Sequence, residues 1–261
     1  MKNFTFEKSV LKTKLKEKQL TIGSWLTIPH QSIIEILSSA GFEWLTIDIE
    51  HSAIDIQTVQ NLIAHIQANK MEALVRVSKN DEVIIKRVMD AGANGIIVPM
   101  VTSATEARDA VSWTKYPPFG SRGVGLSRAQ HYGTAFEQYK KWVQEESVVI
   151  AQIEHINGVQ NLSGILDTEG IDGIIVGPYD LSASMGKPGM FYDDDVKEVL
   201  SEIDRITHSK NKPLGFHVIE SDHEKMLEKI NKDYSFLAFS LDFFFLGDKA
   251  REQMDLLKSK I

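Results

Sequence analysis

A single (β/α)8 barrel is the fold this sequence predicts. Three observations carry it: eight short apolar runs recur along the chain, segments of helical periodicity separate them, and a carboxylate, Glu154 or Asp180, stands at or just past the end of two of the runs. Strands buried on both faces of a parallel sheet read as near-continuous apolar runs. Eight of them alternating with helices close into a barrel, with ligands at the C-terminal ends of the strands. A doubly wound open sheet is the alternative. Against it, no Gly-x-Gly-x-x-Gly follows the first run, so the dinucleotide fingerprint is missing.

The elements follow in order. Residues 1–19 read as an extra amphipathic helix, made basic by Lys12, Lys14, Lys16 and Lys18. Its apolar side is thin, which points to a solvated face and a cap on the barrel bottom rather than a membrane anchor. The expected strands are Leu20–Trp25, Trp44–Ile49, Glu72–Val77, Gly95–Met100, Ser147–Glu154, Gly173–Gly177, Pro213–Val218 and Phe236–Leu241. Between the second and third, Ile56, Val59, Leu62, Ile63 and Ile66 form one helical stripe. Ser103-Ala104-Thr105-Glu106 has the spacing of a capping box, and Gly92 marks a return from helix to strand. A C-terminal helix over 243–261 completes one domain spanning 1–261.

Composition narrows the function. The 261 residues are 43% hydrophobic and 25% charged, an ordinary globular balance. A net charge of −7 argues against a nucleic-acid partner. With no cysteine there are no disulfides and no thiol catalysis. No apolar run approaches the roughly 20 residues needed to span a bilayer. The N-terminus lacks the apolar segment of a signal peptide, so a cytoplasmic location is the expectation.

If the barrel is right, chemistry belongs at the strand ends. Glu154 and Asp180 on neighbouring strands suit a hard divalent cation with positions left for substrate; N-capping of the next helices is the alternative for each. Strand two ends Asp48-Ile49-Glu50-His51, where an imidazole beside two acids suits proton transfer near neutral pH. Strand three carries Arg76, costly in an apolar strand unless its charge is used. It serves either to stabilise an oxyanion or to pair with Asp48 or Glu50. Gly120-Ser121-Arg122-Gly123-Val124-Gly125 lacks a P-loop ending and reads as a closing loop or an interface loop. His217 and Asp242 end strands seven and eight and either line the pocket or cap. His65, His208 and His223 fall on helices and read as surface; His30, His131 and His155 are left open.

These residues carry a resemblance. Asp48-Ile49-Glu50-His51, Leu74-Val75-Arg76-Val77-Ser78-Lys79-Asn80-Asp81, Val98-Pro99-Met100-Val101, Tyr116-Pro117-Pro118-Phe119-Gly120-Ser121-Arg122-Gly123-Val124-Gly125, Gln152-Ile153-Glu154 and Gly177-Pro178-Tyr179-Asp180-Leu181-Ser182 stand in the order and spacing of the HpcH/HpaI aldolase family. The sequence most resembles the 4-hydroxy-2-oxoheptanedioate aldolase group, from about Gly23 to Asp242. The resemblance implies a barrel of the pyruvate/phosphoenolpyruvate type and a class II aldolase that makes pyruvate and an aldehyde from a 4-hydroxy-2-oxo acid. It also implies a homo-oligomer, a hexamer in the family, in which a helix packs on a neighbouring subunit.

Roles are implied position by position. Glu154 and Asp180 would hold Mg²⁺, Mn²⁺ or Co²⁺. Gln152 and the backbone at Tyr179 and Asp180 would bind the 2-oxo acid. Arg76 would stabilise the enolate oxygen and His51 would be the acid/base. Asp90, near a helix C-terminus, would orient His51 and reach the histidine of a neighbouring subunit. The chain departs from the family pattern at Tyr179, usually small, at His155, usually a small hydroxyl residue, and over Leu126–Tyr132, on the aldehyde side. No lysine ends a strand of the carboxylate region, which disfavours a Schiff base. A CoA-thioester carbon–carbon lyase of malyl- or citramalyl-CoA type needs a basic groove, which the acidic balance disfavours. A binding protein with a decayed site is disfavoured by the intact residue set.

Overall fold

The computed structural model describes residues 5–261. Its eight strands are β1 Thr21–Leu26, β2 Trp44–Asp48, β3 Glu72–Arg76, β4 Gly95–Val98, β5 Val148–Ile153, β6 Gly173–Val176, β7 Leu214–Val218 and β8 Phe236–Leu241. They pair in parallel in sequence order, and β8 returns to β1, so the sheet is a closed barrel. The fold is the one expected, with strand ends shifted by one or two residues for local reasons. Leu20 is exposed, so β1 begins at Thr21. Pro213 has no N–H to give, and β7 begins at Leu214. Ser147 is spent on the preceding helix, its Oγ donating to the Val143 carbonyl at 2.5 Å. Met100 adopts φ +53° and donates its N–H to Glu154 Oε1, which ends β4 early.

Pleating divides the core. Leu45, Ile47, Ala73, Val75, Val149, Ala151, Ile153, Ile174 and Val176 face outward and pack under the helices. Trp44, Leu74, Ile97, Val148, Ile150, Ile175, Phe236 and Ala238 fill the barrel interior. Towards the bottom the Trp44 and Phe236 rings stack with centroids 4.5 Å apart. Space for that pair comes from Gly23 and Gly215. A Cβ on Gly23 would lie 2.0 Å from the Trp44 ring, and one on Gly215 would lie 2.8 Å from Phe236.

The N-terminal helix spans Val10–Glu17, shorter than residues 1–19; residues 1–4 lie outside the described residues. It starts where Ser9 caps it, accepting from Lys12 N. Leu11 and Leu15 are buried and belong to the interior cluster of the barrel. Glu72, at the start of β3, accepts from Ser9 Oγ at 2.6 Å and from Leu11 N at 2.8 Å. The lysine face is not simply solvated: Lys12 pairs with Asp172 at 2.6 Å and Lys14 pairs with Glu43.

The expected capping box at Ser103 is half formed. Ser103 accepts from Glu106 N, but the Glu106 carboxylate takes Thr102 N and Thr102 Oγ1 instead of the Ser103 N–H. The last helix, Asp242–Lys258, is held at its first residue: Asp242 accepts from Thr27 N, Thr27 Oγ1 and Ile28 N at 2.6–2.7 Å. Asp242 is therefore a clamp between β8 and the loop after β1. Beyond its first turns the helix carries exposed Leu246, Met254 and Leu257.

Candidate active site

A cavity of about 380 Å³ opens at the C-terminal ends of the strands. Asp48, His51, Arg76, Gln152, Gly177, Tyr179 and Asp180 line it, with Trp25, His217, Phe243 and Phe244 among its other walls. Volumes of this order hold small metabolites.

Arg76 ends β3, and both readings of it hold together. Nε and Nη2 reach the two Asp48 oxygens at 3.0 and 2.6 Å, a bidentate pair. Nη1 lies 3.4 Å from Glu50 Oε2. The guanidinium is thus fixed by carboxylates and still faces the cavity. Burial alone would raise the Asp48 carboxyl, but the Arg76 hydrogen bond and charge outweigh it, helped by the N–H groups of Glu50 and His51. Asp48 stays ionised below the usual carboxylate range. The same N–H contacts, 3.0 and 3.3 Å long, fold the turn that carries His51 to the mouth. His51 is 62% exposed in its side chain, with Nε2 3.7 Å from Glu50.

Glu154, just past β5, is 2% exposed. Oε1 accepts from Met100 N at 2.7 Å, and Oε2 accepts from Gln152 Nε2. Burial pushes its pKa up to about 7; Glu50 and Asp180 push the same way, against the Met100 N–H and Arg76. Glu50 is also raised, first by burial, with Asp48 and Asp180 adding to the shift. The mouth therefore gathers four carboxylates, Asp48, Glu50, Glu154 and Asp180, around one guanidinium.

That excess of negative charge fits a divalent cation. Gln152 Oε1 is buried without a hydrogen bond, a costly arrangement unless a ligand completes it. Among the described residues no three His, Cys, Asp or Glu side chains form a metal cluster. Two carboxylates with water and substrate oxygens would complete the shell of a hard ion, which keeps open positions.

Tyr179 is half exposed at the rim, on the first turn of the helix Pro178–Ser184, and its ring meets Phe191 edge-on at 4.7 Å. Tyr179 also lines the cavity, with its ring held against Phe191. His217 lines the cavity too. The other histidines stand apart: His30 and His155 cap helices through Nδ1. His131 ends a 3-10 turn beside Phe6, and His208 and His223 are exposed. His65 sits half-buried on its helix.

Of the two roles expected of the glycine-rich loop, closure over the cavity is not seen. Arg122 is buried on the outer side, pairs with Asp90 at 2.5 Å and lies over the Tyr116 and Tyr139 rings at 4.7 and 5.6 Å. Arg122→Ala should therefore lower stability by about 3 kcal/mol, read by denaturant melts, because it strips Asp90 and two tyrosines of a buried partner. Asp90 pairs with Arg122 in its own chain and does not line the cavity with His51.

The match of the HpcH/HpaI aldolase/citrate lyase family model to residues 21–245 covers the barrel and every residue of this site. The chain belongs to that family. A relative named 2-keto-3-deoxy-L-rhamnonate aldolase, from Escherichia coli K12, is 32% identical over 95% of this chain and 92% of its own. An HpcH/HpaI aldolase/citrate lyase family protein from Burkholderia cenocepacia J2315 superposes with a TM-score of 0.90 at 29% identity, covering 95% of this chain and 98% of that one. An HpcH/HpaI aldolase from Desulfitobacterium hafniense gives 0.88 at 27% identity, covering 97% of each. These relatives are thus an aldolase by sequence and two HpcH/HpaI family proteins that share this barrel. Among the described residues no helix is long and apolar enough to cross a membrane.

Sequence reasoning did not single out Trp25, Phe243 or Phe244 as cavity walls. An aromatic at a strand end looks like core, and only barrel closure brings β1 and the last helix to the mouth.

Proposed function

We propose that this chain is a divalent-metal aldolase that reversibly cleaves a 4-hydroxy-2-oxo acid into pyruvate and an aldehyde. The observation that carries the reading is the convergence of Asp180, Gln152 and Arg76 on one cavity, with Glu154 buried against Gln152, in a chain whose relatives include a 2-keto-3-deoxy-L-rhamnonate aldolase. Glu154 and Asp180 would hold the ion. When bound, a divalent cation such as Mg²⁺, Mn²⁺ or Co²⁺ polarises the 2-oxo group as a Lewis acid.

The residues then divide the work. Gln152 and the backbone at Tyr179 and Asp180 bind the 2-oxo acid. His51 takes the proton of the 4-hydroxyl, C3–C4 breaks, the aldehyde forms, and the electron pair passes into the enolate of pyruvate. Arg76, already rigid on Asp48, presents its guanidinium to the oxygen where charge grows, so little reorganisation is needed. Proton return to C3 completes pyruvate. A CoA-thioester lyase is disfavoured because no lysine lines the cavity among the described residues.

The exposed stripe Leu246, Met254 and Leu257 supports assembly into a homo-oligomer through the C-terminal helix. There the Asp90 oxygen not held by Arg122 would orient His51 of a neighbouring subunit. An Asp90→Asn variant should then shift the pH profile of turnover; an unchanged profile would remove that role.

The direct test is exchange of pyruvate methyl protons with D₂O, followed by NMR, on protein stripped of metal and then resupplied. Exchange is expected only with a divalent ion. Silence with Mg²⁺, Mn²⁺ and Co²⁺ alike would overturn the reading.

A further inference from the structure

The proposed reaction gives no part to His217, although its ring lines the same cavity. The ring stacks on Trp25, with centroids 4.5 Å apart and planes 20° from parallel. Nε2 lies 3.2 Å from the Ser240 carbonyl oxygen. A carbonyl only accepts, so Nε2 carries the hydrogen. Burial, with the Arg76 charge assisting, holds the imidazole neutral by lowering its pKa to about 4 against the pull of that hydrogen bond. A neutral ring protonated at Nε2 has a bare Nδ1, which can only accept. Nδ1 has no hydrogen-bond partner among the described residues.

The contact that fixes this tautomer is built into the backbone. Ser240 holds φ +53°, a left-handed conformation uncommon outside glycine. Beside it the β1–β8 register shifts between Gly23 and Trp25. Such irregularities at barrel rims re-aim groups toward a site.

Position follows from the neighbours. The Arg76 guanidinium carbon is 5.4 Å from the Trp25 ring centre, so Trp25 adjoins both Arg76 and His217. In the proposed reaction Arg76 would face the enolate oxygen on C2. The rings beside it would then lie nearest the next carbon, C3 of the 2-oxo acid. We propose that His217 is a specificity-determining residue whose Nδ1 accepts a hydrogen bond from a hydroxyl on C3, so that the site takes 3-hydroxy-2-oxo acids as well as pyruvate. The proposal rests on the aldolase reading above.

The test uses the full-length, metal-loaded protein and the exchange of C3 protons in D₂O, with pyruvate, hydroxypyruvate and 2-oxobutanoate as probes. In the wild type, the KM for hydroxypyruvate should lie below that for 2-oxobutanoate, which puts a methyl where the hydroxyl was. In H217L the ratio of kcat/KM for hydroxypyruvate to that for pyruvate should fall about tenfold, mainly through KM. H217N sets an Oδ1 near the place of Nδ1 and should recover part of the ratio. Pyruvate exchange with an unchanged ratio in H217L, or a wild-type preference for 2-oxobutanoate, would overturn the His217 assignment alone. No pyruvate exchange with any divalent ion would overturn the aldolase reading and this proposal with it.

Discussion

Glu154→Gln should abolish metal-dependent exchange, a loss of roughly 10³-fold or more, while leaving the apo protein at least as stable as the wild type. The first half follows from removing one of two carboxylates that would hold the ion. The second follows from the surroundings. A neutral amide keeps an oxygen for Met100 N, and a rotation of the Gln152 amide offers its unpaired Oε1 to the new NH₂ group. Linkage gives the pH dependence. The Glu154 pKa is raised from 4.5 to about 7 in the folded state. The folded protein therefore retains a proton that the unfolded chain releases. The favourable contribution is complete below about pH 4.5 and is lost as pH rises through about 7, on the order of 3 kcal/mol in all. Apo wild type should thus fall behind Glu154→Gln in melting temperature as pH goes from about 5 to 8, and Mn²⁺ should close that gap. Full turnover in the variant would remove Glu154 from the metal site, and a pH-independent gap would contradict the buried-charge account.

Arg76→Ala should slow exchange by roughly 10²–10³-fold, the size expected for a lost oxyanion donor. It should also cost about 3–5 kcal/mol of stability, since Asp48 is left buried without its counter-charge. The two effects separate in the double variant Arg76→Ala with Asp48→Asn. Melts should recover much of the stability, and exchange should stay low. If exchange recovered with stability, Arg76 would be a structural ion pair and nothing more.

How far the sequence could be read depended on which physical rule governed each residue. Strand order and barrel closure followed from apolar runs with helices between them, because burial on both faces leaves that mark on every strand. Arg76 and Glu154 were legible because a charge at the end of an apolar strand needs a partner. The anchoring of the glycine-rich loop was not legible, since its glycines say nothing of one buried cation, Arg122, held by Asp90 and two tyrosines 17 and 6 residues away. His217 stayed ambiguous for a similar reason. Its tautomer depends on the Ser240 carbonyl, 23 residues on, turned by a left-handed backbone that serine rarely signals.

The helix at the foot of the barrel has a consequence for how this enzyme can change. Its anchors, Ser9 on Glu72, Lys12 on Asp172 and Lys14 on Glu43, share no residue with the Asp48–Arg76–Glu50–Glu154 cluster at the mouth. Closure at one end and chemistry at the other are thus carried by separate residues. A chain clipped to begin at Thr21 would keep every reacting group and lose its floor. Loops at the rim, by contrast, are open to drift or exchange, and new substrates can be explored there without loosening the base.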